Sequence, residues 1–89
     1  MKLKYKFVVK SVAGRPVAIA IGDDNAKFNG MVKLNETGEI IFNMLNGDGV
    51  SSDDIVKALM EKYSIDEPTS RDAVDGFVDS LRANGLIEE

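Results

Sequence analysis

The chain has no cysteine, no histidine and no tryptophan, and only two prolines in 89 residues. Without cysteine there is no disulfide framework to argue for secretion, and thiolate nucleophiles and zinc-thiolate sites are excluded. Without histidine the commonest general base and the commonest metal ligand are missing, so triad and most transition-metal chemistries have no candidates. No apolar run approaches the roughly 18 residues a membrane span needs. The opening Met1-Lys2-Leu3-Lys4-Tyr5-Lys6 places lysines where a signal peptide needs an unbroken apolar stretch. These absences predict a cytoplasmic protein with no catalytic residue, metal or cofactor.

What is present is the composition of a folded globular protein, 44% hydrophobic and 29% charged. The length suits a single domain over residues 1–89 with a modest core. A net charge of −4 hides an asymmetry: residues 1–34 carry seven Lys/Arg against two Asp, and residues 35–89 carry four against thirteen Asp/Glu. A basic first third can steer an acidic partner. The plainer reading is of solvated faces.

Periodicity divides the chain into strands and then helices. Over residues 3–12, Leu3, Tyr5, Phe7 and Val9 alternate with Lys4, Lys6, Val8 and Lys10, which predicts a half-buried strand. Ala13-Gly14-Arg15-Pro16 predicts a turn, and Val17, Ile19 and Ile21 then face one way along a second strand of the same hairpin. After the polar stretch 22–27, Phe28, Gly30, Val32 and Leu34 alternate with Asn29, Met31 and Lys33 in a third strand, where Gly30 signals a bulge or a close backbone approach.

The stretch 34–45, LNETGEIIFNML, opens the helical part. Asn35 suits a cap, Glu36 and Glu39 suit the positive end of the helix dipole, and Ile40, Ile41, Met44 and Leu45 form the apolar stripe up to a stop at Gly47. Ser51-x-x-Asp54 approximates a capping box for a second helix carrying Ile55, Val56, Leu59, Met60 and Tyr63 and stopping near Ser64. Asp66 caps a third helix with Pro68 in its first turn, and Val74, Phe77, Val78 and Leu81 supply its stripe. Gly85 ends it, with Leu86 placed to fold back on the last turn. The expected fold class is α+β, a three-stranded antiparallel sheet followed by three helices.

Few residues carry chemistry. Asp23-Asp24-Asn25 lacks the twelve-residue ligand spacing and terminal glutamate of a calcium loop. Gly47-Asp48-Gly49 has neither the preceding strand nor the following Gly-Lys-Ser/Thr of a phosphate loop, and the dipole alone explains Glu36 and Glu39. A winged-helix reading would set the second or third helix in a DNA groove, but both carry more acidic than basic residues, which phosphates repel. An edge strand over residues 29–34 can accept an extended peptide through its unpaired backbone groups. Lys33 and Gly30 equally suit a protected edge, and the residues alone leave both readings open.

Leu34-Asn35-Glu36-Thr37-Gly38, the helix Ile40-Ile41-Phe42-Asn43-Met44-Leu45 with Asn46-Gly47 after it, Ser52-Asp53-Asp54-Ile55-Val56-Lys57-Ala58-Leu59 and the closing Leu81-Arg82-Ala83-Asn84-Gly85-Leu86-Ile87 resemble the PqqD-like family, named for the pyrroloquinoline quinone (PQQ) biosynthesis protein D. The resemblance covers residues 28–87. It implies a winged-helix-like domain that recognises ribosomally made, post-translationally modified peptides. Such a domain is a non-catalytic adaptor, a chaperone for the leader of a precursor peptide. It binds the leader as an added strand and presents it to a modifying enzyme, often a radical S-adenosylmethionine (SAM) enzyme. Carried onto this chain, the peptide-binding residues are Asn29, Gly30, Met31, Val32 and Lys33 on the strand and Val74, Phe77, Val78 and Leu81 on the last helix. Residues 17–33 depart from the founding member's Leu-Tyr-Pro-Glu pattern, which implies a stand-alone relative serving a precursor other than that of the quinone. Two other readings are a winged-helix nucleic-acid binder and a structural subunit that meets an enzyme through Lys4, Lys6 and Lys10.

Overall fold

The computed structural model of the chain describes residues 1–22 and 30–89. Along these residues run β1 (Lys2–Leu3), β2 (Phe7–Val12), β3 (Arg15–Ala20), β4 (Met31–Lys33), α1 (Glu36–Leu45), α2 (Ser52–Tyr63), α3 (Glu67–Ala83) and β5 (Ile87–Glu88). The α+β order of strands then helices is therefore present, with an antiparallel sheet ordered β2-β3-β4 and a second, two-stranded sheet of β1 and β5.

That second sheet corrects the single strand expected over residues 3–12. Leu3 pairs with Ile87, and the Lys4 amide donates to the Leu86 carbonyl at 2.8 Å, whereas from Phe7 onward the chain pairs with β3. Residues 4–6 carry the chain from one partner to the next. The inward and outward alternation runs on through the break, with Leu3 and Phe7 buried and Lys4 and Lys6 exposed, so periodicity alone does not mark it.

The hairpin turns at Ala13 and Gly14, both in the left-handed region (φ 54° and 79°), the two-residue geometry whose twist matches the flanking strands. Arg15 and Pro16 belong to β3. On the middle strand the inward residues are the small ones: Ala18 and Ala20 are buried, opposite Val9 and Val32 and opposite Phe7. Two alanines keep the inner face low beneath the aromatic pair Phe7 and Phe42, which meet edge to face with centroids 5.2 Å apart. Val17, Ile19 and Ile21 alternate with them and so turn outward, away from the helices.

The helices begin where local chemistry says they should. Asn35 Oδ1 accepts from the Gly38 amide at 2.7 Å, Ser51 Oγ from Asp54 at 3.1 Å, and Asp66 Oδ1 from Thr69 at 3.0 Å. Each satisfies a donor that the first turn leaves without a helical partner. The last helix closes with the Leu86 amide donating to Leu81 and the Gly85 amide to Arg82, both at 3.0 Å, around a left-handed Gly85. This is the paired-bond glycine cap, and it turns Leu86 back into the core at 2% exposure.

Phe42, Leu45, Ile55, Leu59 and Val74 are sealed in one cluster that also takes Leu3 and Leu86 from the chain ends. Each of the larger of these contributes about 2 kcal/mol by leaving water. The buried Ser70 hydroxyl donates to the Val56 carbonyl at 2.8 Å and ties α3 to α2. Across the surface of the same helix pair, Arg71 reaches Asp53 at 3.0 Å and Glu67 at 2.9 Å.

Candidate functional site

β4 is an edge strand, and its hydrogen-bond phase can be read from its neighbours. The Leu34 amide donates to the Pro16 carbonyl at 3.0 Å, so Leu34 faces β3. In an antiparallel ladder the paired and unpaired positions alternate, and the register Ala18 with Val32 puts Val32 in the same phase. Met31 and Lys33 therefore turn their N–H and C=O groups to the open side. Among the described residues no strand pairs with that side. Pro16 has no amide to return, which ends the β3–β4 ladder where the chain leaves for α1.

The opposite edge of the sheet differs. Asn46 Nδ2 donates to the Phe7 carbonyl at 3.0 Å and occupies the first outward-facing acceptor of β2. A guest strand thus meets a side-chain plug on β2 and, among the described residues, a free rung on β4.

Beside the β4 rung runs a groove of about 400 Å³. Its strand wall is Met31, Val32 and Lys33, and its helix wall is Phe77, Ser80, Leu81 and Asn84, with Leu86 at the end. Phe77, Ser80, Leu81 and Asn84 are spaced i, i+3, i+4, i+7, one face of α3. Phe77 also lines a neighbouring hollow of about 290 Å³ with Asn35, Thr37, Gly38, Ile41 and Ala73. Its ring fits there because residue 38 has no side chain: a Cβ on Gly38 would stand 2.9 Å from Phe77 Cε1 and 3.0 Å from Asn35 Oδ1.

Of the nine residues expected at the site, five line the groove: Met31, Val32 and Lys33 on the strand, and Phe77 and Leu81 on the helix. Val74 and Val78, 0% and 3% exposed, lie in the core cluster and do not border it, whereas Leu81, 4% exposed and in the same cluster, does. Gly30 is an exposed bend just before β4, with no atom within 4 Å of the place a Cβ would take, so it marks no close backbone approach. Asn29 lies outside the described residues, as does the acidic turn Asp23-Asp24-Asn25. Ser80, Asn84 and Leu86 escaped an apolar-stripe reading, although their spacing from Phe77 and Leu81 carries the signal for the first two.

Of the three lysines considered as an enzyme contact, Lys4 and Lys6 border a cleft with Asp48 and Glu88, and Lys10 stands on the edge strand β2 opposite Val17. On α3 the arginines are already engaged: Arg82 with Asp79 and Glu89, each at 2.8 Å, and Arg71 with Asp53 and Glu67. The hydrogen bonds that Arg82 donates to Glu89 and Arg71 donates to Glu67 raise both guanidinium pKa values above the usual arginine range. Helix cations held in this way are poorly placed for phosphates. Among the described residues no group of acidic side chains converges as a metal site would require, and no helix is long and apolar enough to cross a membrane.

Comparison with known proteins agrees with this geometry. The family model for coenzyme PQQ synthesis protein D (PqqD) matches residues 12–87. Two solved structures share the fold. One is TbiB1 in complex with the TbiA(beta) leader peptide, with a TM-score of 0.75 and 24% identity over 99% of this chain and 95% of that one. The other is lasso peptide synthetase B1 complexed with the leader peptide, with a TM-score of 0.72 and 22% identity over 99% and 96%. No curated protein matches the chain in sequence.

Proposed function

This chain belongs to the PqqD family, and on that premise we propose that it is a non-catalytic adaptor that binds the leader of a ribosomally made precursor peptide and presents it to a modifying enzyme. The observation that carries this reading is the outward rung of Met31 and Lys33 beside the Phe77 and Leu81 wall. An extended peptide laid along β4 gains main-chain hydrogen bonds at those two residues. Alternate side chains of the guest then drop into the groove, where their fit sets specificity.

Support comes also from the two structural neighbours, each of which holds a leader peptide. A non-catalytic role is in keeping with a chain that has neither histidine nor cysteine. The partner enzyme is proposed to be a radical SAM enzyme, in line with the family resemblance.

The test is a titration of isotope-labelled protein with the leader segment of a candidate precursor peptide, followed by amide shifts. The expected shifts fall on Gly30, Met31, Val32 and Lys33 and on residues 77–84. A saturating leader that moves none of these overturns the assignment.

A further inference from the structure

The three large apolar side chains most exposed in the described chain are Val12 at 48%, Ile21 at 44% and Met31 at 53%. Strand alternation places all three on one surface, the face of the sheet turned away from the helices. Residues directly opposite in an antiparallel ladder share a face, so the register lays this surface out in rows. Val12 pairs with Arg15; Lys10, Val17 and Lys33 form the next row; Val8, Ile19 and Met31 form the third. Val17 at the centre is only 4% exposed, yet it stands outside the main core cluster, flanked in its row by two lysines.

Among the described residues the charges on this face are all of one sign. β2, β3 and β4 contain no acidic residue, and Lys10, Arg15 and Lys33 have no ion-pair partner among the described residues. An apolar centre of Val8, Ile19 and Met31 around the buried Val17, ringed by cations with no ion-pair partner among the described residues, is the pattern of a recognition surface rather than of a merely solvated one.

We propose that this outer sheet face is a docking surface for a second protein that presents an acidic rim around an apolar centre. A second copy of the chain does not fit. Sheet against sheet would set Lys10, Arg15 and Lys33 against themselves. Sheet against the acidic helices of another copy would be a head-to-tail contact, which gives a ring or an open chain rather than a closed pair, and Arg71 and Arg82 already engage Asp53, Glu67, Asp79 and Glu89 there. The face does not depend on the peptide reading, but it gains meaning beside it. A strand added at β4 would direct every second side chain onto this same surface next to Met31 and Lys33, so a docked partner would touch adaptor and guest together.

The experiment uses the full labelled chain and four probes: a helical amphipathic peptide of Glu and Leu, its counterpart of Lys and Leu, phosphatidylglycerol vesicles, and sedimentation of the chain alone. The Glu/Leu peptide is expected to shift Val8, Lys10, Val17 and Ile19, and K10E/R15E to weaken it at least tenfold, with K10Q/R15Q intermediate. Both variants keep the dispersed amide spectrum and the leader-induced shifts at residues 77–84. Loss of the leader shifts in the parent would sink the peptide reading and leave this one standing. The docking proposal is overturned if the Glu/Leu peptide shifts only the β4–α3 groove, if charge reversal leaves its affinity unchanged, if the Lys/Leu peptide binds as well, if the vesicles occupy the face as readily, or if the chain alone dimerises through it.

Discussion

The Phe77 ring edge occupies the space in which a side chain on residue 38 would begin, with Cε1 2.9 Å from the Cβ position of Gly38. One missing methyl on α1 therefore sets where the wall of the β4–α3 groove stands.

Gly38→Ala tests that relationship. Alanine favours a helix over glycine by about 1 kcal/mol, and this gain opposes the displacement of Phe77 and the crowding of the Asn35 cap. Net stability in urea is expected to stay within about 1 kcal/mol of the parent. Leader affinity is expected to fall roughly tenfold, about 1.4 kcal/mol. Because the two residues touch, the pair G38A and F77L should depart from additivity by more than about 0.5 kcal/mol in a double-mutant cycle.

Proline substitutions along β4 separate the free rung from the ladder. Met31→Pro or Lys33→Pro removes only an outward amide, and an edge strand tolerates it. Each is expected to weaken leader binding tenfold or more while the melting curve moves little. Val32→Pro removes an amide in phase with β3 and should cost about 2 kcal/mol of folding stability. Equal destabilisation at all three positions would show that the phase of β4 is not as described.

Ser70 is fully buried and donates to the Val56 carbonyl at 2.8 Å. Ser70→Ala is expected to cost about 1 kcal/mol in urea unfolding. Ser70→Leu adds volume to the closed α2–α3 contact and should cost about 2 kcal/mol or more. Leader affinity, normalised to the folded fraction, should be unchanged in both.

Asp66 caps α3, and its hydrogen bonds with Thr69 lower its pKa below the ordinary aspartate value. A depressed folded-state pKa makes a contribution that is present above the unfolded value, roughly 3.9, and is lost as pH falls through the folded one. Stability measured from pH 7 down to pH 2 should therefore fall less steeply in the acid range for Asp66→Asn, which keeps an acceptor oxygen but cannot titrate. An unchanged acid slope in that variant would remove Asp66 from the account.

The helices were legible because their signals are local. Asn35, Ser51 and Asp66 each reach an amide three residues on, and Gly85 with Leu86 closes the last turn through bonds that span at most five residues. The strand partners were not legible, since Lys4 bonds to Leu86 and Phe7 pairs with Ala20 without any change in the alternation between them. Nor does a stripe of Val74, Phe77, Val78 and Leu81 say which members face the core. Only the position of β4 separates Val74 and Val78 from Phe77 and from Leu81, which is buried in the core yet borders the groove, and that position comes from a pairing distant in sequence. Ser80 and Asn84 join the same wall through backbone geometry, which an apolar pattern does not register.

The most direct measurement of the central claim is amide hydrogen exchange along β4 with and without a saturating leader. In the free protein Val32 and Leu34, which face β3, should exchange slowly while Met31 and Lys33 exchange fast; with leader bound, Met31 and Lys33 should slow by at least tenfold. Unchanged exchange at Met31 and Lys33 under saturation, or new protection on β2 at Val9 and Ser11 instead, would contradict strand addition at this edge.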